Sequence, residues 1–228
     1  MNERMVQVGT ISGVQQSSTY DPRLLGNGSV VPYVGSWTDE ELLSDKLIQH
    51  PAGGVGYADE VLTDRDEWGV LWARTATRIG SGKPLFKKLH PLRQRRAMSR
   101  LLCQVCAQPA DRNEQGNLWL FRERPSYEPG WPEGFPVTLP PVCTVCARLS
   151  VRMCPALRTG YVAVRAESWV CGVTGARFQP GPTGLQAAPN QDDDFVFYKD
   201  YGVRWILATQ RARMLYNCTF VNLEYVVS

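Results

Sequence analysis

Two CxxC pairs, Cys103/Cys106 and Cys143/Cys146, stand 36 residues apart in a chain of 228 that carries seven cysteines and two histidines. Four thiolates with this spacing suit one tetrahedral metal ion, and zinc is the ion that such four-cysteine sets hold. A zinc ligated by four protein sulfurs keeps no open position for water or substrate, so the expected Zn2+ is structural. The odd cysteine count and the close spacing favour a metal over a disulfide framework. The competing reading is two redox CxxC motifs or simple buried thiols.

The segments around these cysteines predict how they are positioned. Pro91 fits the first turn of a helix through LRQRRAMSRLL, which delivers the chain into Cys103. NLWLFRER at 117–124 reads as a strand, and a Pro/Gly-rich stretch over 125–141 must return the chain to the metal. The second pair opens a helix, CTVCARLSVRMC, with Leu149 and Met153 on the side of Cys146 and Pro155 at its end. The partial positive charge and free amides of a helix's first turn stabilise thiolates, so Cys143 and Cys146 sit well as metal ligands.

Knuckle, hairpin and ligand-bearing helix, in that order over about residues 103–157, resemble the treble-clef zinc fold. The string CQVC followed by PVCTVCARLSVRMCPALRTGYVAV also resembles a family of small uncharacterised bacterial zinc-binding proteins. That resemblance implies a metal site and no mechanism. The treble clef also underlies HNH nucleases, which place a histidine general base between the cysteine pairs. No histidine lies between Cys106 and Cys143, so this nuclease chemistry is not expected. The two histidines, His50 and His90, stand at predicted helix ends. His90 together with Cys154, Cys171 and Cys218 is either a second metal set or, as small buried thiols usually are, core.

Charge is segregated along the chain although the net value is only +3. Residues 38–67 hold nine carboxylates against two basic residues, whereas 83–100 hold seven Lys/Arg and no acid. Within the basic stretch Lys87, Lys88, Arg93, Arg95, Arg96 and Arg100 supply candidate phosphate contacts, and Arg148 and Arg152 on the second zinc helix extend the positive face. The opposing reading is a solvated surface that pairs with the acidic segment. Trp119, Phe121, Trp131 and Phe135 either stack on bases or roof a core. Trp37, Trp68 and Trp72, near Asp64, Asp66 and Glu67, are a candidate small-molecule pocket with acid/base groups.

Elsewhere, Thr38 and Glu41 form a capping box ahead of Leu42, Leu43, Leu47 and Ile48, which predicts a helix over 38–49. GVLWARTAT at 69–77 alternates as a strand, as do YVAVRAESWV at 161–170, DFVFY at 194–198 and the terminal TFVNLEYVV. VRWILATQRARMLY at 203–216 has helical apolar spacing. Strands and helices interleave without a βαβ rhythm, so the expected fold class is α+β, with a treble-clef-like zinc module embedded in a mixed α/β domain and an N-terminal lobe. The expected division is an N-terminal α+β lobe (1–82), the basic helix plus four-Cys module (83–160) and C-terminal strands and helix completing the core (161–228).

With 43% hydrophobic and 21% charged residues the composition is that of a globular protein. The apolar runs fall far short of the roughly 18 residues of a spanning helix, and the polar N-terminal stretch lacks a secretory apolar core. A cytoplasmic protein without a membrane partner is expected. The first functional reading is a non-catalytic zinc-stabilised binding protein with nucleic acid as its partner. The alternatives are an enzyme acting on a small molecule or peptide beside a structural zinc, and a protein-interaction adaptor.

Overall fold

The computed structural model describes residues 30–43, 45–123, 128–182, 184–189 and 194–225. Expectations that fall on 1–29, 124–127 and 226–228 lie outside the described residues. The elements run β1 (Gly35–Trp37), β2 (Leu47–Gln49), β3 (Val55–Tyr57), β4 (Leu71–Trp72), β5 (Pro84–Leu89) and α1 (Pro91–Arg100). They continue with β6 (Arg112–Asn113), β7 (Gly116–Arg122), β8 (Pro136–Val137), α2 (Thr144–Met153) and α3 (Pro155–Arg158). Last come β9 (Tyr161–Gly181), β10 (Gly184–Ala187), β11 (Asp194–Phe197) and β12 (Ile206–Phe220). The architecture is α+β, and no described helix is long and apolar enough to cross a membrane.

The long strand β9 is the spine. Its first half pairs with β7 and its second half with β11, while β12 runs antiparallel along its other side. The path β4-β12-β9-β7-β6 carries most of the sheet, with β8 added on β12. On the far edge of β12, β4 pairs at Leu207–Ala208 and β8 at Arg213–Met214. Between them a side chain substitutes for a strand: the Arg211 N–H donates to Gln94 Oε1 (2.8 Å), and Gln94 Nε2 donates back to the Arg211 carbonyl (2.8 Å) and to Thr138 O (2.6 Å). This ties α1 to the sheet, where Met98 packs with Trp119, Phe121, Val164 and Leu215 in one fully buried cluster. Trp119 and Phe121 are therefore core, Phe121 meeting Trp131 edge-on at 5.0 Å, and not a base-stacking surface.

Two helix expectations are corrected. Residues 38–43 and 45–49 hold no helix; β2 forms there and pairs with β3. Glu40, not Glu41, reaches back, its Oε2 accepting the Trp37 N–H at 3.0 Å, and a tertiary ion pair with Arg93 overrides the local helix signal. Leu42 and Leu43 remain about half exposed because no helical stripe forms to bury them.

The second correction is 203–216, which is a short 3-10 turn, Tyr201–Trp205, followed by β12. The register slips between Ala208 and Gln210 and again between Ala212 and Arg213. A bulge inserts a residue and reverses which parity faces inward. Buried positions thus step from Ile206 and Ala208 to Arg211, Arg213 and Leu215, and the three-residue step imitates helical spacing. The strand expected over 69–77 is real but short, and that over 161–170 extends to Gly181. Pairings of β1 with β5 and of β4 with β12 link residues on either side of the expected boundaries at 82/83 and 160/161.

Candidate metal centre and the surfaces beside it

α1 follows His90, whose Nδ1 accepts the Arg93 N–H as an N-cap, with Pro91 at the first helical position, and ends at Leu101 in the left-handed conformation (φ 52°). The chain then enters the knuckle. Ala107 N–H donates to Cys103 O at 2.9 Å, Cys103 N–H to Gln108 O at 2.7 Å, and Val105 N–H to Cys103 Sγ at 3.4 Å. A left-handed Ala107 (φ 62°) completes this turn. The β6–β7 hairpin follows, and Gln104 N–H to Pro141 O (2.9 Å) and Val142 N–H to Leu118 O (2.8 Å) bring the return segment against knuckle and hairpin. Cys143 is the N-cap of α2, and Cys146 lies in its first turn.

The four cysteine sulfurs all lie within 4.8 Å of one another, and Cys106 Sγ is 3.9 Å from Cys143 Sγ. Four sulfurs around one zinc at about 2.3 Å would stand roughly 3.8 Å apart, so this set fits a tetrahedral ion with little movement. It is the one such group of His, Cys, Asp or Glu side chains found among the described residues. The four thiols are coupled through their hydrogen bonds: that to Cys103 lowers Cys106 to about 7 and lowers Cys143 further, while the hydrogen bonds of Cys103 and Cys146 to their neighbours raise those two. That is the donor chemistry a divalent soft-ligand ion would complete.

Packing braces the site from outside. Cys103, Val105, Leu118, Leu120, Val142, Cys146 and Ala147 share one buried cluster. Asp111 Oδ2 accepts from Thr144 Oγ1 at 2.6 Å and from Arg165 Nη2 at 2.6 Å, pinning the start of α2 to the hairpin and to β9. None of His90, Cys154, Cys171 and Cys218 joins a metal group among the described residues. Burial pushes the Cys171 and Cys218 thiols up to about 12, and His90 is fully buried with Nε2–H donating to Ala76 O at 3.1 Å.

The basic stretch divides. Arg93 is withdrawn from any nucleic-acid face: it is 4% exposed, clamped bidentately by Glu40 at 2.6 Å and hydrogen-bonded to the Tyr33 and Gly35 carbonyls. Arg95 is half-buried, its guanidinium 4.8 Å over the Trp72 ring. Lys83, Lys87, Lys88, Arg96 and Arg100 are exposed and make no ion pair among the described residues, and Phe86 is 61% exposed among them. Arg148 and Arg152 are exposed on α2, with Arg148 Nε donating to Leu223 O.

The acidic segment is mostly consumed elsewhere. Arg74 engages Asp45, Asp59 and Asp64, Arg65 engages Glu60, and Arg211 engages Asp66 and Glu67. Hydrogen bonding to Arg74 holds Asp64 below the usual carboxylate range. Asp66 accepts five hydrogen bonds, from the Trp68 and Val70 amides, Trp72 Nε1, Tyr198 Oη and Arg211 Nη2. With five donors on it Asp66 is a saturated acceptor, an arrangement that suits structure better than proton transfer. Arg211 was not legible as a core residue; its only local signal is its place in an alternating Arg-Ala-Arg run.

Against protein-family models, curated proteins and solved structures the chain finds no match, so the resemblance of its cysteine string to a bacterial family gains no support there.

Proposed function

We propose that the four cysteines hold one structural Zn2+ in a treble-clef-like module, and that the protein is a non-catalytic nucleic-acid binder. The fit of four sulfurs within 4.8 Å supports the metal; with all four positions filled, it would supply no Lewis-acid step and would serve to fix α1 and α2. The observation that carries the binding reading is the surface of β5 and α1. Five cations, Lys83, Lys87, Lys88, Arg96 and Arg100, stand exposed there without carboxylate partners among the described residues, and Phe86 of β5 is exposed as well. Cations that follow a phosphate backbone, together with an aromatic ring that accepts a base, are the ingredients of sequence-tolerant single-strand binding. Arg148 and Arg152, exposed on α2, are the further cations this reading assigns to the positive surface.

The test is binding of the full chain to a fluorescent single-stranded oligonucleotide across a salt series. Affinity should fall steeply with salt, and Lys87→Ala/Lys88→Ala should reduce both the affinity and the steepness. Arg93→Ala should act on stability instead, because Arg93 faces Glu40. Salt-insensitive binding, or no binding, removes the nucleic-acid reading.

A further inference from the structure

A cleft of about 530 Å3 opens between three turns: residues 50–54, residues 66–69, and the stretch from Tyr198 into the 3-10 turn Tyr201–Trp205. A second hollow of about 300 Å3 adjoins it, sharing Trp68, Tyr198 and Lys199 and walled further on by Trp169 and Phe197. Both lie at or above the lower end of the size range of small-molecule sites. Their common wall is an aromatic platform. The Trp68 and Tyr198 rings stack at 4.2 Å and 18°. Asp66 accepts the Trp68 backbone N–H at 3.1 Å and the Tyr198 hydroxyl at 2.8 Å, and Arg211 Nη2 donates to Asp66 at 3.2 Å.

This platform is rigid yet open. Trp68 remains 44% exposed and Trp169 50% exposed. An immobilised, half-exposed indole lowers the ordering cost of stacking a planar ligand. The charge around it is cationic. Lys199 and Arg204 line the cleft and make no ion pair among the described residues; Arg204 lies 3.9 Å over the Tyr201 ring and donates to its hydroxyl at 3.1 Å. Arg65 also lines the cleft, although Glu60 neutralises it, and Asp200 is the one carboxylate of the lining. Gly54, in the left-handed region at φ 96°, lets the 50–54 turn close on Arg204, where a Cβ would stand 2.4 Å from the Arg204 carbonyl oxygen.

We propose that this cleft binds a planar aromatic group carrying a phosphate, the chemistry of a nucleoside monophosphate, with the ring against the Trp68–Trp169 wall and the phosphate between Lys199 and Arg204. Arg211 pairs with Asp66 and Glu67 beside this wall. The assignment rests on residues separate from Lys87, Lys88, Arg96 and Arg100, and stands or falls independently of the β5–α1 surface. A free nucleotide and the 5′-phosphorylated end of a strand present the same chemistry.

Isothermal titration of the full chain with AMP, adenosine and inorganic phosphate tests it. AMP should bind at least about tenfold more tightly than either fragment, and Lys199→Ala and Arg204→Ala should each weaken AMP by about tenfold, the worth of one charge-assisted contact. Trp68→Leu should weaken AMP and adenosine alike while leaving the circular dichroism spectrum unchanged. In a Lys87→Ala/Lys88→Ala background AMP affinity should be unaltered. Competition by a 5′-phosphorylated oligonucleotide in that background would identify a strand end as the source, and its failure would identify the free nucleotide. Absence of AMP binding at millimolar concentration, equal affinity for adenosine, or indifference to all three cleft substitutions would each overturn the proposal.

Discussion

Glu40→Gln is the substitution from which this structure expects most. The side chain is fully buried, and its two oxygens receive Arg93 Nη1 and Nη2 at 2.6 Å, the Trp37 N–H at 3.0 Å and the Arg78 N–H at 2.9 Å. Arg93 spends its remaining donors on the Tyr33 and Gly35 carbonyls at 2.7 and 2.6 Å, so the pair joins β1, the 76–78 segment and α1. Gln keeps the shape but removes the charge, leaving a guanidinium buried with neutral acceptors only. Breaking one side of such a pair costs about 3–5 kcal/mol, a large fraction of the roughly 5–15 kcal/mol that holds a domain folded. Urea unfolding followed by tryptophan fluorescence should show a lower midpoint at unchanged slope. Arg93→Met on top of Glu40→Gln should recover at least half of the loss, since the uncompensated charge goes with it. The pH dependence has a fixed sign. Burial alone would raise the Glu40 pKa, but Arg93 outweighs it and holds it below 4.5. The contribution is therefore complete above about pH 4.5 and is lost as pH falls through the lower folded value. A loss under about 1 kcal/mol, or no recovery in the double variant, would refute a desolvated pair and place Arg93 back among the surface cations.

Other outcomes follow from the same geometry. Elemental analysis should find about one zinc per chain, and chelation or Cys103→Ser should lower the unfolding midpoint sharply, because metal binding free energy is folding free energy; a metal-free chain with an unchanged midpoint would dismiss the site. Gly116→Ala should cost at least about 2 kcal/mol, since Gly116 has φ 100° and a Cβ would lie 2.2 Å from the Ala166 carbonyl oxygen; an undisturbed urea midpoint would contradict that close approach. Burial first, and the Arg93 charge next, lower the His90 pKa from 6.5 despite Glu40 at 3.9 Å. Stability should therefore be full above pH 6.5 and decline as pH drops toward the folded value. His90→Asn, which retains an N-cap acceptor, should flatten that decline, and a profile identical to the parent's would show that His90 does not titrate on unfolding.

What was legible in the sequence is what is local. Four cysteines at CxxC spacing converge because a knuckle needs only the turn from Cys103 to Gln108 and a helix start needs only its first four residues. Pro91 and Pro155 mark helix starts by restricting φ within a single residue, and both do so here. The α+β class follows from the same local periodicities. The two lost helices share a different cause. The Thr38–Glu41 capping box pointed to a helix, but it is the neighbouring Glu40 that takes the Trp37 amide and is held by Arg93, 53 residues away, and no short window contains Arg93. In β12 the alternation was present but broken by the bulge between Ala208 and Gln210, so that a strand shaped to turn inward at Arg211 presented the spacing of a helix face. Arg211 itself shows the limit most plainly. It is 1% exposed and stabilised by Asp66 and Glu67 about 145 residues earlier, an arrangement that composition would rank among the least expected for a core. The same long-range pairing takes up most of the acidic segment, leaving the exposed lysines and arginines of β5 and α1 without an ion pair among the described residues. The charge segregation read along the chain is thus partly undone by folding: Glu40, Asp64 and Asp66 are buried against arginines, whereas Lys83, Lys87, Lys88, Arg96 and Arg100 stay exposed without an ion pair among the described residues.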